Sequence, residues 1–174
     1  VVCDLGANVG LYSQAATDQG ARVTAVDSSP GCVELTYKSN SKGDDILPLV
    51  IDLASPSPSL GWESTERESF VSRASFDTVM ALALIHHLVI SNNIPLERIS
   101  SFLANMCDHL IIEFIPKEDN MVKRLLKFRE DIFPDYTKEG FEKAFSNDFE
   151  ILAGEPIESS HRTLYLMKIK LEGA

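Results

Sequence analysis

The residues with chemistry to offer begin in the first thirteen positions, VVCDLGANVGLYS, where Asp4, Gly6, Asn8 and Gly10 share one bend. Glycine has no Cβ and tolerates positive φ, so a glycine-rich bend between a strand and a helix brings bare backbone N–H groups close to a ligand. Asn8 stands where a middle glycine is usual, and asparagine is the side chain that best tolerates the left-handed region. Two more acids follow short β-rich runs: Asp27 after RVTAV and Asp52 within ILPLVIDL. An acid roughly 20 residues past a glycine bend is where nucleotide folds hold ribose hydroxyls. Asp27 suits that role, while Ser28 or Ser29 caps the helix beginning at Pro30; the two readings are compatible. His86 and His87 leave the apolar run FDTVMALAL. With an ordinary pKa of about 6.5, a neutral imidazole there can accept a proton at physiological pH. Adjacent residues do not easily face one pocket, so one of the two is expected to be structural.

The bend narrows the ligand. A dinucleotide fingerprint counted from Gly6 needs glycines at positions 8 and 11, where Asn8 and Leu11 stand. A carboxylate at Asp4 repels a pyrophosphate and attracts an ammonium. No metal site is expected, because the histidines lack the i, i+4 spacing of helical ligand pairs and no Cys or Asp cluster joins them.

These residues need elements to hold them. Helices are expected over Leu11 to Gln19, closed by Gly20, and over Gly31 to Ser41, with a turn from Lys42 to Asp45. Strands are expected over Val1 to Leu5, Arg22 to Val26, Ile46 to Leu53 and Phe76 to Leu84, the last nearly continuous in apolar residues, as a central parallel strand is. Between the third and fourth lies ASPSPSLGWESTERESFVSRAS, a long insertion with a short helix expected within Ser64 to Arg73. Its Trp62 either walls a substrate lid or packs the loop on the sheet edge. Asn92, Asn93 and Pro95 open a helix from Leu96 to Cys107, and Asp108 to Ile115 is a fifth strand. Glu113 interrupts that strand, so it either points to a pocket mouth or is neutralised by a partner such as Lys117 or Arg124. A helix over Asn120 to Arg129 and another from Thr137 to Phe145 follow. Phe149 to Leu152 and Thr163 to Leu171 close the chain as an antiparallel edge pair, with His161 and Arg162 in the turn between them.

Composition bounds the answer. The chain has 174 residues, 44% of them hydrophobic, enough for one substantial core and a single domain, residues 1–174. A formal charge of −10 repels phosphate backbones and anionic membranes, which disfavours nucleic acid as a partner. No apolar run reaches spanning length. Cys3, Cys32 and Cys107 are widely spaced and odd in number, fitting reduced thiols and the cytoplasm better than a disulfide framework. The chain opens inside its first strand, so an N-terminal lead-in is expected to be missing.

Strand and helix alternate through five strands before two strands finish the chain. With D-x-G-x-N-x-G at the first bend and acids at the next two strand ends, this resembles the class I S-adenosylmethionine-dependent methyltransferases. More narrowly, DLGANVGLYS, DLASPSPSLGW, LALIHHL, EFIPKED and RTLYLM resemble a bacterial group of methyltransferase domains, some labelled nodulation-related. The resemblance implies a three-layer αβα sandwich on a mostly parallel seven-stranded sheet, order 3-2-1-4-5-7-6 with strand 7 antiparallel. It implies S-adenosylmethionine as cofactor, held by Asp4, Gly6, Ala7, Asn8, Gly10, Asp27, Ser28, Asp52, Leu53, Ala81 and Leu82. Asp4 would face its cationic amino-acid end, Asp27 its ribose, and Asp52 with Leu53 its adenine. His86 and His87 become the catalytic candidates, Trp62 and Glu113 the substrate candidates, and the acceptor an unidentified small molecule. Two rivals are a nucleotide-cofactor oxidoreductase and a non-catalytic cofactor-binding domain of a larger protein. Oligomeric state is not readable.

Overall fold

The computed structural model describes residues 1–40 and 45–170. Seven strands form one sheet: β1 (Val2–Leu5), β2 (Val23–Asp27), β3 (Ile46–Val50), β4 (Phe76–Ala81), β5 (Cys107–Phe114), β6 (Phe149–Pro156) and β7 (Thr163–Ile169). Their order is β3-β2-β1-β4-β5-β7-β6, mostly parallel, with β7 antiparallel to both its neighbours. This is the expected topology. The helices are α1 (Leu11–Asp18), α2 (Pro30–Ser39), α3 (Phe70–Arg73), α4 (Leu96–Ala104), α5 (Asn120–Leu126) and α6 (Lys138–Phe145), with a π-helical turn at His87–Ser91. None of the helices described is long and apolar enough to cross a membrane.

The chain divides into two compact units. In the first, residues 1–80 with 105–107, β1 lies parallel between β2 and β4, and β3 runs parallel outside β2. β3 tolerates Pro48 because it is an edge strand, where a missing N–H breaks no ladder. Ala7, Val23, Ala25 and Ile46 form a small buried cluster there.

The second unit, residues 81–104 and 108–174, is built on aromatic residues. Phe141 sits 5.1 Å from Phe114, 4.4 Å from Phe145 and 5.1 Å from Tyr165, ring centre to ring centre, in tilted pairs. Buried Tyr136 satisfies its hydroxyl by donating to the Ile115 carbonyl at 2.8 Å. Thr137 caps α6 as expected, accepting from Gly140 N–H.

Several boundaries differ from expectation, each for a local reason. β3 stops at Val50 because Asp52 turns the chain, its Oδ1 accepting from Ala54 N–H at 2.9 Å and its carbonyl from Ser55 N–H at 3.1 Å. β4 stops at Ala81 because Ala83 is left-handed, at φ 49°. The helix expected through Ser64 to Arg73 shrinks to α3 with Ser69 as its cap, since Leu60 and Arg67 pair as an antiparallel bridge. α4 ends before Cys107, which opens β5 instead. β6 runs on to Pro156, continuing its ladder with β7 past a bulge between Ile151 and Ala153. The turn expected at residues 42–45 falls, except for Asp45, outside the described residues, as does Leu171.

Candidate functional site

The three acids of the first unit lie at one edge of the sheet. β1, β2 and β3 are parallel and in register, Leu5 beside Val26 and Val26 beside Leu49, so their C-terminal ends coincide. Asp27 ends β2, and Asp52 lies two residues past β3. At the bend, Gly6, Asn8 and Gly10 take φ of 75°, 50° and 80°. Gly10 is required twice over: besides its left-handed φ, a Cβ there would sit 2.8 Å from Thr36 Cγ2. Ala7 is buried in the apolar cluster, with its N–H bonded to the Val26 carbonyl, so it offers structure more than a side chain.

Asp27 organises this edge. Its Oδ2 accepts the Asn8 N–H and its Oδ1 the Ser29 N–H, both at 2.8 Å. Each oxygen keeps a further lone pair, so hydroxyl donors can still be accepted. Ser29 is the N-cap of α2, accepting from Cys32 N–H, while Ser28 stays exposed. The sulfhydryl of Cys32 donates to Asn8 Oδ1 at 3.3 Å, and Thr36 Oγ1 donates to the Asn8 carbonyl at 3.3 Å. The bend is thus tied to both β2 and α2.

Asp4 is different in kind. It is 2% exposed and accepts from Ser13 Oγ at 2.7 Å. Burial, with a smaller push from the Asp27 carboxylate, raises its pKa above the ordinary carboxylate value, against the Ser13 hydrogen bonds. A buried carboxylate opposed in this way is stabilised by an approaching cation. Asp52 and Leu53 are exposed and half-buried. The donor set of the bend, two carboxylates and no cation, fits a cationic ligand with ribose hydroxyls and disfavours a pyrophosphate.

The second unit places the remaining candidates other than Trp62, which belongs to the first. Ala81 is buried and Leu82 half-buried. The histidines separate as expected of neighbours: His86 is 2% exposed and His87 exposed, their rings 4.1 Å apart and tilted by 40°. Neither nitrogen of His86 has a hydrogen-bond partner. Such an orphan costs about 1–3 kcal/mol. Burial, then His87, then Arg162 lower its pKa to about 4, with Asp119 opposing. His86 is therefore neutral at neutral pH. Burial lowers the pKa of His87 as well.

Glu113 is buried and neutralised, and its partners are neither Lys117 nor Arg124. Its Oε2 accepts the Ala83 N–H at 2.7 Å and its Oε1 accepts Arg162 Nη1 at 3.1 Å. Lys117 instead bonds Asp131 and the Phe133 carbonyl. Arg162 also donates through Nε to Asp119 Oδ2 at 2.7 Å, and Asp119 caps α5 by accepting from Met121 N–H. By sequence Arg162 is a turn residue, yet the β5–β7 register sets Glu113 opposite Leu164 and so brings residue 162 within reach. Ser13 gave no signal, being one small polar residue in a helix. Trp62 is 78% exposed, so it does not pack its loop against the sheet.

No protein-family model matches the chain. Over 166 residues, 94% of its length, it is 41% identical to nodulation protein NoeA of Rhizobium meliloti (strain 1021), of which it spans 35%. Magnesium protoporphyrin IX methyltransferase (ChlM) from Synechocystis PCC 6803, in its structure with bound S-adenosylmethionine, is similar with a TM-score of 0.63 and 20% identity, covering 98% of this chain and 70% of that one. The fold is that of class I S-adenosylmethionine-dependent methyltransferases. The same methyltransferase fold relates the chain to WbdD, with a TM-score of 0.67 and 16% identity over 96% of this chain and 35% of WbdD. WbdD is a bifunctional kinase-methyltransferase.

Proposed function

We propose that this domain binds S-adenosylmethionine and transfers its methyl group to a nucleophile on a small molecule. The observation that carries the reading is the bend itself: Asp27 grips Asn8 and Ser29 while Asp4 is held, buried, beside it on the same unit. In this reading Asp4 meets the cationic amino-acid end of the donor. Asp27, with Ser28, accepts from the ribose. Asp52 and Leu53 bound the adenosyl group, and the backbone at Gly6, Ala7, Asn8 and Gly10 lies close against it. When bound, the donor supplies a methyl group already activated by the positive sulfur.

The chain's own residues then have alignment and proton handling to supply. A donor held by Asp4 and Asp27 would supply the methyl carbon, its sulfur keeping the electron pair of the bond given up while the acceptor atom provides the pair for the new one. The acceptor's proton passes to a ring nitrogen of His87, the exposed member of the pair, with neutral His86 packed against it. Trp62, exposed on its loop, is available to an aromatic or apolar acceptor. Cys3 and Cys107 are buried thiols, in keeping with a cytoplasmic setting. Calorimetric titration with S-adenosylhomocysteine tests the proposal: saturable one-to-one binding is expected, and no heat from properly folded protein would falsify it.

A further inference from the structure

We propose that Glu113 and Arg162 are positioning residues: together they fix the segment leaving β4 so that His87 is presented outward while His86 is sealed beneath it. The inference rests on the methyl-transfer reading for its functional consequence, and on geometry for its substance. Ala83 adopts φ 49°, a conformation that residues with a Cβ rarely hold without support. Its support is the Glu113 carboxylate, which accepts the Ala83 N–H from inside the fold. A lone buried carboxylate would be costly, and Arg162 offsets that by pairing with the second oxygen. Arg162 in turn is fixed by Asp119 at the start of α5. Three elements, β5, α5 and the lead into β7, therefore converge on one strained residue three positions before His86.

The same cluster surrounds the buried imidazole electrostatically. The charged and titratable groups acting on His86 are His87, Arg162 and Asp119, with Glu113 bound to Arg162. Loosening the Ala83 tether changes how the two rings stack. Removing the Arg162 charge makes His86 easier to protonate.

The experiment compares wild type with E113A, E113Q, R162M and R162K. Each is read by thermal melting, calorimetry with S-adenosylhomocysteine, NMR titration of the histidine Cε1–H signals, and turnover of S-adenosylmethionine with a low-molecular-mass bacterial extract as acceptor source. In folded E113A and R162M, the histidine ring-current shifts are expected to move, with turnover down about tenfold or more, and in R162M, where the opposing charge is gone, the His86 midpoint is expected to rise. E113Q keeps an oxygen for the Ala83 N–H, so wild-type ring shifts and most of the turnover should return. Should E113A or R162M not fold, R162K decides, since an ammonium cannot make both of the directed contacts that Arg162 makes. Unchanged histidine signals in the folded variants overturn the proposal, and so does E113Q behaving like E113A. Failure of wild type to bind S-adenosylhomocysteine overturns the methyltransferase reading instead, while the NMR comparison still decides the tether.

Discussion

Asp27 Oδ2 accepts the backbone N–H of Asn8 at 2.8 Å, joining the end of the second strand to a bend nineteen positions earlier in the chain. The carboxylate so placed holds the bend and still has lone pairs to offer outward. D27N keeps one oxygen but loses the charge and turns an acceptor into a donor. S-adenosylhomocysteine affinity should fall about ten- to a hundredfold, the range for one or two charge-assisted hydrogen bonds, as read by calorimetry. Wild-type affinity in D27N would remove Asp27 from the site.

Asp4 should show stability and binding moving in opposite directions. Its folded pKa is raised, so the folded state holds that proton more readily than the unfolded chain. Its contribution to stability is therefore most favourable at low pH and declines as pH rises through the ordinary carboxylate range to the folded pKa. D4N, which can still accept from Ser13 Oγ, abolishes this decline and should stabilise the ligand-free protein at neutral pH. Donor affinity should drop about tenfold in the same variant. Urea unfolding and calorimetry on one preparation check both halves.

Gly10 is a packing requirement as well as a conformational one. G10A forces a Cβ against Thr36 at φ 80°, and is expected to lower stability by about 1–3 kcal/mol. The double variant with Thr36→Ser, which removes the crowding methyl, should recover part of the loss but not the φ term. Melting temperatures of the three proteins measure the split.

Much of this was legible beforehand because it rests on backbone rules. Glycine and asparagine mark left-handed positions, acids mark strand ends, and alternation of strand with helix points to a mostly parallel sheet, whose order the resemblance to class I methyltransferases implies. What escaped reading depends on distance in sequence. Glu113 announced itself as an acid in an apolar strand, but Arg162 is 49 positions away and is brought near only by antiparallel pairing of β5 with β7. Nor could composition tell which histidine is buried. The left-handed Ala83, three positions before His86, was invisible, since alanine carries no mark of positive φ.

Trp62 tests how far the insertion matters. Its exposure means that W62A should leave stability within about 0.5 kcal/mol of wild type. If it lines the acceptor site, the variant instead raises the acceptor KM severalfold at unchanged donor affinity. Equal kinetics in the two proteins would confine Trp62 to the surface.

His86 gives the clearest pH signature. In the unfolded chain its imidazole titrates near an ordinary value of 6.5, whereas the folded protein, by burial and the nearby Arg162 charge, lowers that to about 4. Between those values the unfolded state binds more protons, so stability must rise with pH through this window and be lost as pH falls from 6.5 toward 4. The limiting slope is about 1.4 kcal/mol per pH unit for one proton. H86F fills the same space without orphaned nitrogens, so it should match or exceed wild-type stability at pH 5 and remove this part of the slope. Circular dichroism in urea is the suitable readout, because exposed Trp62 reports little of the core. A variant retaining the full wild-type pH dependence between these values would mean that His86 is not the neutral, sealed ring that the fold makes it.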